Sequence, residues 1–257
     1  MQPFALSLYT AITAESLTAN LQLCLDAADR DSYPGGQSFL DRSGNGYDFF
    51  LGADGSATST DPTWLGTWFE SDGGDHFTYD STNETWMENL HKNNAAFTAL
   101  FFIYYTSDFY PLSDTGGLDD ATDIGVEFRV NSTGDLILFV AKGTSGYVLS
   151  LQTDGAVVVG GWNMVAVSLN EATGAGGGFF YRNGAYAQVA GADTFTSTYA
   201  SPSASNATRT MVLGKSYGAG ITIPAAARLS ACAFWSSALT KANLDGIFTR
   251  MRGRFLI

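Results

Sequence analysis

Cysteine, histidine and lysine are scarce in this chain of 257 residues: two Cys, two His and four Lys. Two cysteines cannot make a disulfide framework, and with only two histidines there is no structural zinc set. Positive charge is short as well, with 13 Lys+Arg against 25 Asp+Glu and a formal charge of −12. That balance argues against nucleic acid as the main partner, because phosphate binding needs concentrated positive charge. Long apolar runs are missing. The longest uncharged stretch, residues 155–170, contains three glycines, and nothing reaches the roughly 20 apolar residues of a membrane helix. No basic residue precedes Arg30, so the positive n-region of a secretory signal is absent and no cleaved signal is expected.

What is present suits a packed β protein. The hydrophobic fraction is 45%, with 35 aromatic residues and 29 glycines. The apolar share is that of a globular core, not a disordered tail. The length fits one large all-β domain or two small ones, with enough core to need no staples. Charge is unevenly spread. Residues 26–135 hold 20 acids and four bases, a local sum of −16, whereas residues 136–257 sum to +5. A solvated acidic loop face explains this, and a cation site or an electrostatic docking face is the sharper alternative. The gradient also raises the expectation of opposite-signed faces for packing beside copies of the same chain.

Residues 1–20 read as an N-terminal arm, either an edge strand or a segment docked on its own domain or a neighbour. From Leu21 onward short strands alternate with Gly, Asn and Asp. Leu21, Leu23 and Leu25 alternate with Gln22, Cys24 and Asp26 at half-buried strand spacing. Phe97–Tyr105 reads as a central strand buried on both faces. Val126, Phe128 and Val130, then Leu136–Ala141, then Tyr147, Leu149 and Leu151 make an antiparallel meander with a turn over Asn131–Gly134. Val165, Val167 and Leu169 follow Trp162 at strand spacing. Asn183-Gly184 between aromatic flanks predicts a type I′ hairpin, because both residues tolerate positive φ. Ala190–Arg209 reads as a long exposed loop, and Arg228–Trp235 as a further strand.

Helix signals are few. Trp86 and Leu90 suggest a short surface helix. Thr240 caps a segment whose Leu244, Ile247, Phe248 and Met251 share one face, and Arg250, Arg252 and Arg254 suit its C-terminal dipole. The fold class predicted is all-β: an antiparallel β-sandwich or jelly roll with one or two short helices and the arm. The domains are the arm over 1–20 and the sandwich over 21–257.

Several landmarks occur in order: Leu23-Cys-Leu-Asp-Ala27, Ser32-Tyr-Pro-Gly-Gly36, Asp41-Arg-Ser-Gly-Asn-Gly46, Trp68-Phe-Glu-Ser-Asp-Gly-Gly-Asp75, Trp162-Asn-Met-Val-Ala-Val167, Phe180-Tyr-Arg-Asn-Gly184 and Trp235-Ser-Ser-Ala-Leu-Thr240. Their succession resembles the concanavalin A-like lectin/glucanase domains of the laminin-G-like type, found in phage structural and bacterial surface proteins. The resemblance implies a jelly roll in which the first and last strands adjoin, bringing Cys24 and Cys232 to one sheet. A cross-strand disulfide is then conceivable, and two buried reduced thiols are the other reading. Asp41 and Asn45 are expected to bond turn backbone. Relatives often carry acids on the last strand; Leu229–Phe234 has none, which weakens a structural calcium site even with Asp72 and Asp75 as oxygen donors. No cofactor is expected.

Catalysis is not expected either. A retaining glycosidase needs two carboxylates about 5 Å apart, and the Glu-x-Asp-x-x-Glu run of glucanase relatives does not occur. Glu127 stands alone on its strand, Asp119, Asp120 and Asp123 read as solvated, and His76 and His91 read as surface or turn residues. Glycan binding uses aromatic faces and short polar side chains, and the candidates beside loops are Trp64, Trp68, Tyr110 and Tyr217. The expected function is a non-enzymatic virion structural protein, a capsid decoration, spike or tail-associated subunit. Its partners are other virion proteins, copies of itself and surface glycans. The alternatives are a carbohydrate-binding module of a cell-surface or secreted protein, or a divergent polysaccharide hydrolase or lyase.

Overall fold

The computed structural model describes residues 6–116, 123–144, 146–190, 195–218 and 220–257. Sixteen strands follow one another: β1 (Leu21–Asp26), β2 (Ser38–Phe39), β3 (Phe49–Leu51), β4 (Thr63–Trp64), β5 (Phe69–Glu70), β6 (Phe77–Tyr79), β7 (Ala96–Tyr105), β8 (Tyr110–Asp114), β9 (Ile124–Val130), β10 (Leu136–Lys142), β11 (Tyr147–Gln152), β12 (Gly161–Asn170), β13 (Gly178–Arg182), β14 (Ala185–Ala187), β15 (Val212–Leu213) and β16 (Arg228–Trp235). Helices α1 (Leu8–Ala14) and α2 (Thr85–Asn89) precede β7, and α3 (Lys241–Phe255) ends the chain.

The strands form two antiparallel sheets of eight. One runs β14-β13-β12-β7-β16-β5-β4, with β1 also on β16; the other runs β11-β10-β9-β8-β15-β6-β3-β2. The predicted sandwich is therefore present. Strand β7 sits at the centre because both of its faces are apolar. Phe97, Ala99, Phe101, Ile103 and Tyr105 enter the core between the sheets. Leu100 and Phe102 enter a second apolar layer, where α1 and α3 cover the outside of the first sheet. Burying each of the Phe, Leu and Ile side chains stabilises the fold by about 1.5–3 kcal/mol.

The segment before β1 forms a helix, not an edge strand. Ser7 caps α1 by accepting from the Thr10 N–H, and Leu8, Ala11 and Ile12 are buried against the outer layer. Leu17 is held too, since its carbonyl accepts from Trp235 Nε1 at 2.7 Å. Asp26 and Arg254 knot these elements together. The carboxylate accepts from the N–H of Leu8 at 2.7 Å and of Ala28 at 2.9 Å. It also takes both Nη atoms of Arg254 at 2.8 and 2.7 Å. Arg254, in the last turn of α3 where it suits the helix dipole, is also a buried cross-link.

Folding pairs part of the charge gradient along the chain. Bases of the second half meet acids of the first in the pairs Arg250–Glu15, Arg254–Asp26, Arg228–Glu70 and Arg209–Asp123. The pairing of β16 with β5 accounts for the Arg228–Glu70 contact, and the packing of α3 on α1 and the end of β1 for those of Arg250 and Arg254.

Strands β1 and β16 adjoin, with Leu25 opposite Cys232 and Cys24 opposite Ala233. The two thiols are nevertheless on opposite faces of the sheet, Cys24 in the outer layer and Cys232 between the sheets. Both are free. The described part of 190–209 is not a purely exposed loop either. Phe195 and Tyr199 are buried, and the Tyr199 hydroxyl donates to the Leu90 carbonyl at 2.9 Å.

Candidate functional site

Strand parity sets the outer face of the first sheet. Val165, Val167 and Leu169 point between the sheets, so Trp162, out of phase with them, points outward beside Met164 and Ala166. Tyr104 lies opposite Trp162 in the β7–β12 ladder. Their rings meet edge to face at 5.9 Å, and Trp68 meets Trp162 at 5.7 Å. Phe255 of α3 packs on Trp162 at 4.8 Å and stacks on Phe102 at 4.6 Å. The Arg228 guanidinium lies over both Trp68 (5.2 Å) and Tyr104 (4.7 Å), while its Nε donates to Glu70 at 2.8 Å. The cation and the ring quadrupoles attract each other across this platform.

A cavity of about 460 Å³ opens beside the platform. Its floor is Tyr104 and Trp162, and the end of α3 forms one wall. Two loops make the rest. The buried amide of Asn163 holds the first: Oδ1 accepts from Val158 N–H at 3.0 Å, and Nδ2 donates to the carbonyls of Val158 and Gly161 at 2.9 and 3.0 Å. The second is the β13–β14 hairpin, where Asn183 and Gly184 take φ of 48° and 88° as a type I′ turn requires. Asn183 Oδ1 accepts from Met164 N–H at 2.7 Å, tying the turn to β12. Arg182, beside that turn, lines the cavity. The Arg182 Nε donates to Asn163 Oδ1 at 3.3 Å.

The four sequence-predicted aromatics are not brought together. Trp68 joins the platform. Trp64, five residues from Phe69 and paired with it across the β4–β5 hairpin, faces the other way: Nε1 donates to the Ala27 carbonyl at 2.9 Å, Tyr33 packs at 5.5 Å, and Arg30 lies over the ring at 4.4 Å. Tyr110, expected beside a loop, is on strand β8 and only 1% exposed. Its ring fills the core between the sheets and offers no face to a ligand. Tyr217 is half-buried, with Arg209 over its ring at 4.8 Å and its hydroxyl donating to the Thr210 carbonyl at 2.9 Å. Sequence reading missed Trp162, Tyr104 and Arg182 as site residues. The signal for Trp162 was its parity against Val165 and Val167; nothing local marks its convergence with Trp68, about ninety residues earlier.

On the other sheet the fold makes a carboxylate pair that spacing did not show. Asp114 lies directly opposite Glu127 in the β8–β9 ladder. Asp114 accepts from the N–H of Gly116 at 2.5 Å and of Tyr217 at 2.7 Å. Burial and then the nearby Asp114 charge push the Glu127 carboxyl up to about 8, against the pull of Arg129 at 3.5 Å. Glu127 is thus not alone, yet it and Asp114 are both 0% exposed, so the pair has no route to a substrate in this conformation.

The remaining candidates have local roles. Asp41 accepts from the N–H of Cys24 and Ser43, each at 2.9 Å, and Asn45 Nδ2 donates to the carbonyls of Leu21 and Gln22 at 3.0 and 2.9 Å. Asp75 accepts from Asp72 N–H at 2.9 Å and Asp72 from Gly74 N–H at 3.2 Å. No cluster of three or more His, Cys, Asp or Glu suited to a metal exists among the described residues. His76 and His91 are buried, not surface residues. His91 Nε2 bonds the Ser205 carbonyl at 2.9 Å, and burial pushes its ring down to about 4. Of the acids read as solvated, Asp123 pairs with Arg209 at 2.6 Å, while Asp119 and Asp120 lie outside the described residues. No helix is long and apolar enough to cross a membrane among the described residues.

Comparison with known proteins agrees with this architecture. No curated protein matches the chain. Among solved structures, the sialidase of Trypanosoma rangeli in complex with sialic acid aligns with a TM-score of 0.59 at 12% identity, over 93% of this chain and 34% of that one. The receptor binding domain of botulinum neurotoxin C/D mosaic serotype aligns with a TM-score of 0.59 at 14% identity, over 90% and 51%. The botulinum neurotoxin serotype D ligand binding domain, in complex with N-acetylneuraminic acid, gives 0.57 at 14%, over 93% and 52%. The chain thus spans about a third to a half of these proteins, and likeness at such identity shows the fold alone. The family model of the concanavalin A-like lectin/glucanases superfamily matches residues 71–245. That match takes in the central strands, the Trp162 strand, the Asn183-Gly184 hairpin and the start of α3, and the chain belongs to this superfamily.

Proposed function

We propose that the chain is a non-enzymatic carbohydrate-binding protein that holds saccharide on the outer face of its first sheet. The observation that carries the reading is the Tyr104–Trp162–Trp68 platform opening on a cavity with fixed polar walls. Aromatic faces pack on the C–H side of sugar rings, and a few fixed polar groups orient the hydroxyls. Two neighbours being complexes with sialic acid and N-acetylneuraminic acid supports a saccharide ligand. Burial of Asp114 and Glu127 supports binding without cleavage.

The setting proposed is a virion, with the protein as a decoration, spike or tail-associated subunit assembled with copies of itself and other virion proteins. This rests on the resemblance to domains of phage structural proteins. Immunogold labelling and mass spectrometry of purified particles test it, and absence of the protein from the particles would sink it in favour of a cell-surface or secreted module.

The binding function is tested on a glycan array, with reducing-end detection of any cleavage. The full chain is expected to retain saccharide without releasing reducing ends. Trp162→Ala is expected to weaken binding about tenfold or more, the worth of about 1.4 kcal/mol of lost stacking. Released reducing ends would overturn the non-enzymatic reading, and unchanged binding by Trp162→Ala would remove the platform.

A further inference from the structure

We propose that the cavity between the β13–β14 hairpin and the start of α3 is a second saccharide subsite, which takes an uncharged sugar on Tyr186. The proposal rests on the carbohydrate-binding reading for its ligand class and uses none of the residues of the Trp162 platform. Strand parity puts the lining on one face. Val167, Leu169 and Phe180 point between the sheets, so Ser168, Asn170 and Phe179 point outward. Phe179 lies opposite Ser168, and Tyr186 lies opposite Tyr181, which belongs to the outer layer. Lys241, the first residue of α3, reaches over the rings of Tyr181 and Tyr186 at 5.8 and 5.5 Å. Ser168, Asn170, Phe179, Tyr186 and Lys241 line a cavity of about 350 Å³, with the glycines at 176–178 as a further wall. That volume lies within the roughly 300–1,000 Å³ of small-ligand sites. Trp162 precedes Ser168 by six residues on β12, so the two places are about 20 Å apart at a strand rise of about 3.3 Å per residue.

Tyr186 is 58% exposed, yet its ring is held in place. Phe179 meets it edge to face at 5.2 Å, and the Lys241 ammonium lies over it. An aromatic ring fixed before binding can stack on the C–H side of a sugar without paying to order itself. The polar groups around it fall into two sets. One is engaged: Ser168 Oγ donates to the Leu239 carbonyl at 2.8 Å, Thr240 caps α3, and Lys241 Nζ donates to the Gly184 carbonyl and to both Asp245 oxygens, each at 2.8 Å. The other is free: the side chains of Asn170 and Thr173 and the Tyr186 hydroxyl have no hydrogen-bond partner among the described residues. One amide and two hydroxyls both donate and accept, as sugar hydroxyls do. An apolar occupant would leave them without partners. Charge narrows the class further. Lys241 is the one cation in the lining, it is paired with Asp245, and no carboxylate lines the cavity. A charged sugar would lose water here without meeting a free counter-charge.

The test titrates the full chain with three neutral disaccharides, lactose, cellobiose and N,N′-diacetylchitobiose, and follows backbone amide signals by NMR. At least one sugar is expected to cause saturable shifts at residues 170–178, apart from those at residues 160–162 that report the platform. Tyr186→Ala is expected to weaken the first response about tenfold or more and leave the second unchanged. Trp162→Ala is expected to do the reverse. Shifts confined to 160–162 would overturn the second subsite and keep the platform. Shifts confined to 170–178 would keep the subsite and overturn the platform. Shifts at neither place would overturn both, and an undiminished response at 170–178 in Tyr186→Ala would overturn the role of the ring. The uronic acid counterpart of the bound sugar is expected to bind at 170–178 no more tightly, and tighter binding would overturn the uncharged class. Because the shifts are mapped on the wild-type chain, the presence of the subsite is decided even if a variant fails to fold.

Discussion

Glu127 loses its water on folding, and the Asp114 charge across the ladder adds repulsion when it ionises. Both effects favour the protonated form, so its carboxyl moves from an ordinary 4.5 up to about 8. Between these values the unfolded chain is ionised at this position while the folded chain keeps the proton. The folded state then binds more protons, and stability falls as pH rises. The stabilisation is fully present below the unfolded value and lost as pH rises through about 8. Glu127→Gln, which cannot ionise, is expected to flatten the decline of the urea midpoint across this window and to exceed wild type at its alkaline end. Parallel pH profiles for the two proteins would contradict this.

At the scale of elements, the helix layer hangs on one ion pair. Asp26 ends β1, accepts from the first residue of α1, and is bound by Arg254 in the last turn of α3. Arg254 Nη2 also donates to the Thr67 carbonyl at 3.1 Å and to Ser230 Oγ at 2.6 Å, so five segments converge. Both side chains are almost wholly buried. Removing one partner strands the other, at a cost of about 3–5 kcal/mol. Arg254→Met is therefore expected to lower the unfolding free energy by that amount in denaturant titration. The double variant with Asp26→Asn is expected to recover part of it, because no buried charge is left unpaired. A loss for Arg254→Met of under about 1 kcal/mol, the scale of an exposed pair, would show that the knot is ordinary surface pairing. Helix α3 itself was legible from sequence through Thr240, which forms a capping box with Asn243. Helix α1 was not, since Phe4, Leu6 and Leu8 also fit strand alternation and only packing against α3 and β1 decides between the two.

For the whole molecule, the first sheet divides the interior into two apolar layers, and the cysteines report on it. Cys24 lies in the outer layer and Cys232 in the inner one, although their strands are neighbours. Side chains on adjacent strands must share a face to meet, so a bond between these two would have to pass through the sheet. Burial also raises both thiols above their ordinary range. A thiol-reactive dye is expected to label neither cysteine in the native protein and both in denaturant, with mild oxidation producing no intramolecular crosslink. A crosslinked native species of altered gel mobility would refute the opposed-face arrangement.

The strands, turns and terminal helix follow from local pattern. Alternation at Val126, Phe128 and Val130, the Asn183-Gly184 turn and the Thr240 cap each act over a few residues, and the structure keeps them all. Order of motifs along the chain was enough to place the superfamily. What only the tertiary structure decided is convergence. Trp68 meets Trp162 through the sheet and the early acids meet the late arginines through the packing of α3, from far apart in sequence, while Asp114 meets Glu127 only in the register of β8 on β9. It likewise withdrew Tyr110 into the core. Alternation assigns a residue to one side of a strand, but which side faces solvent, and what lies across from it, depends on sheets and helices assembled from the whole chain.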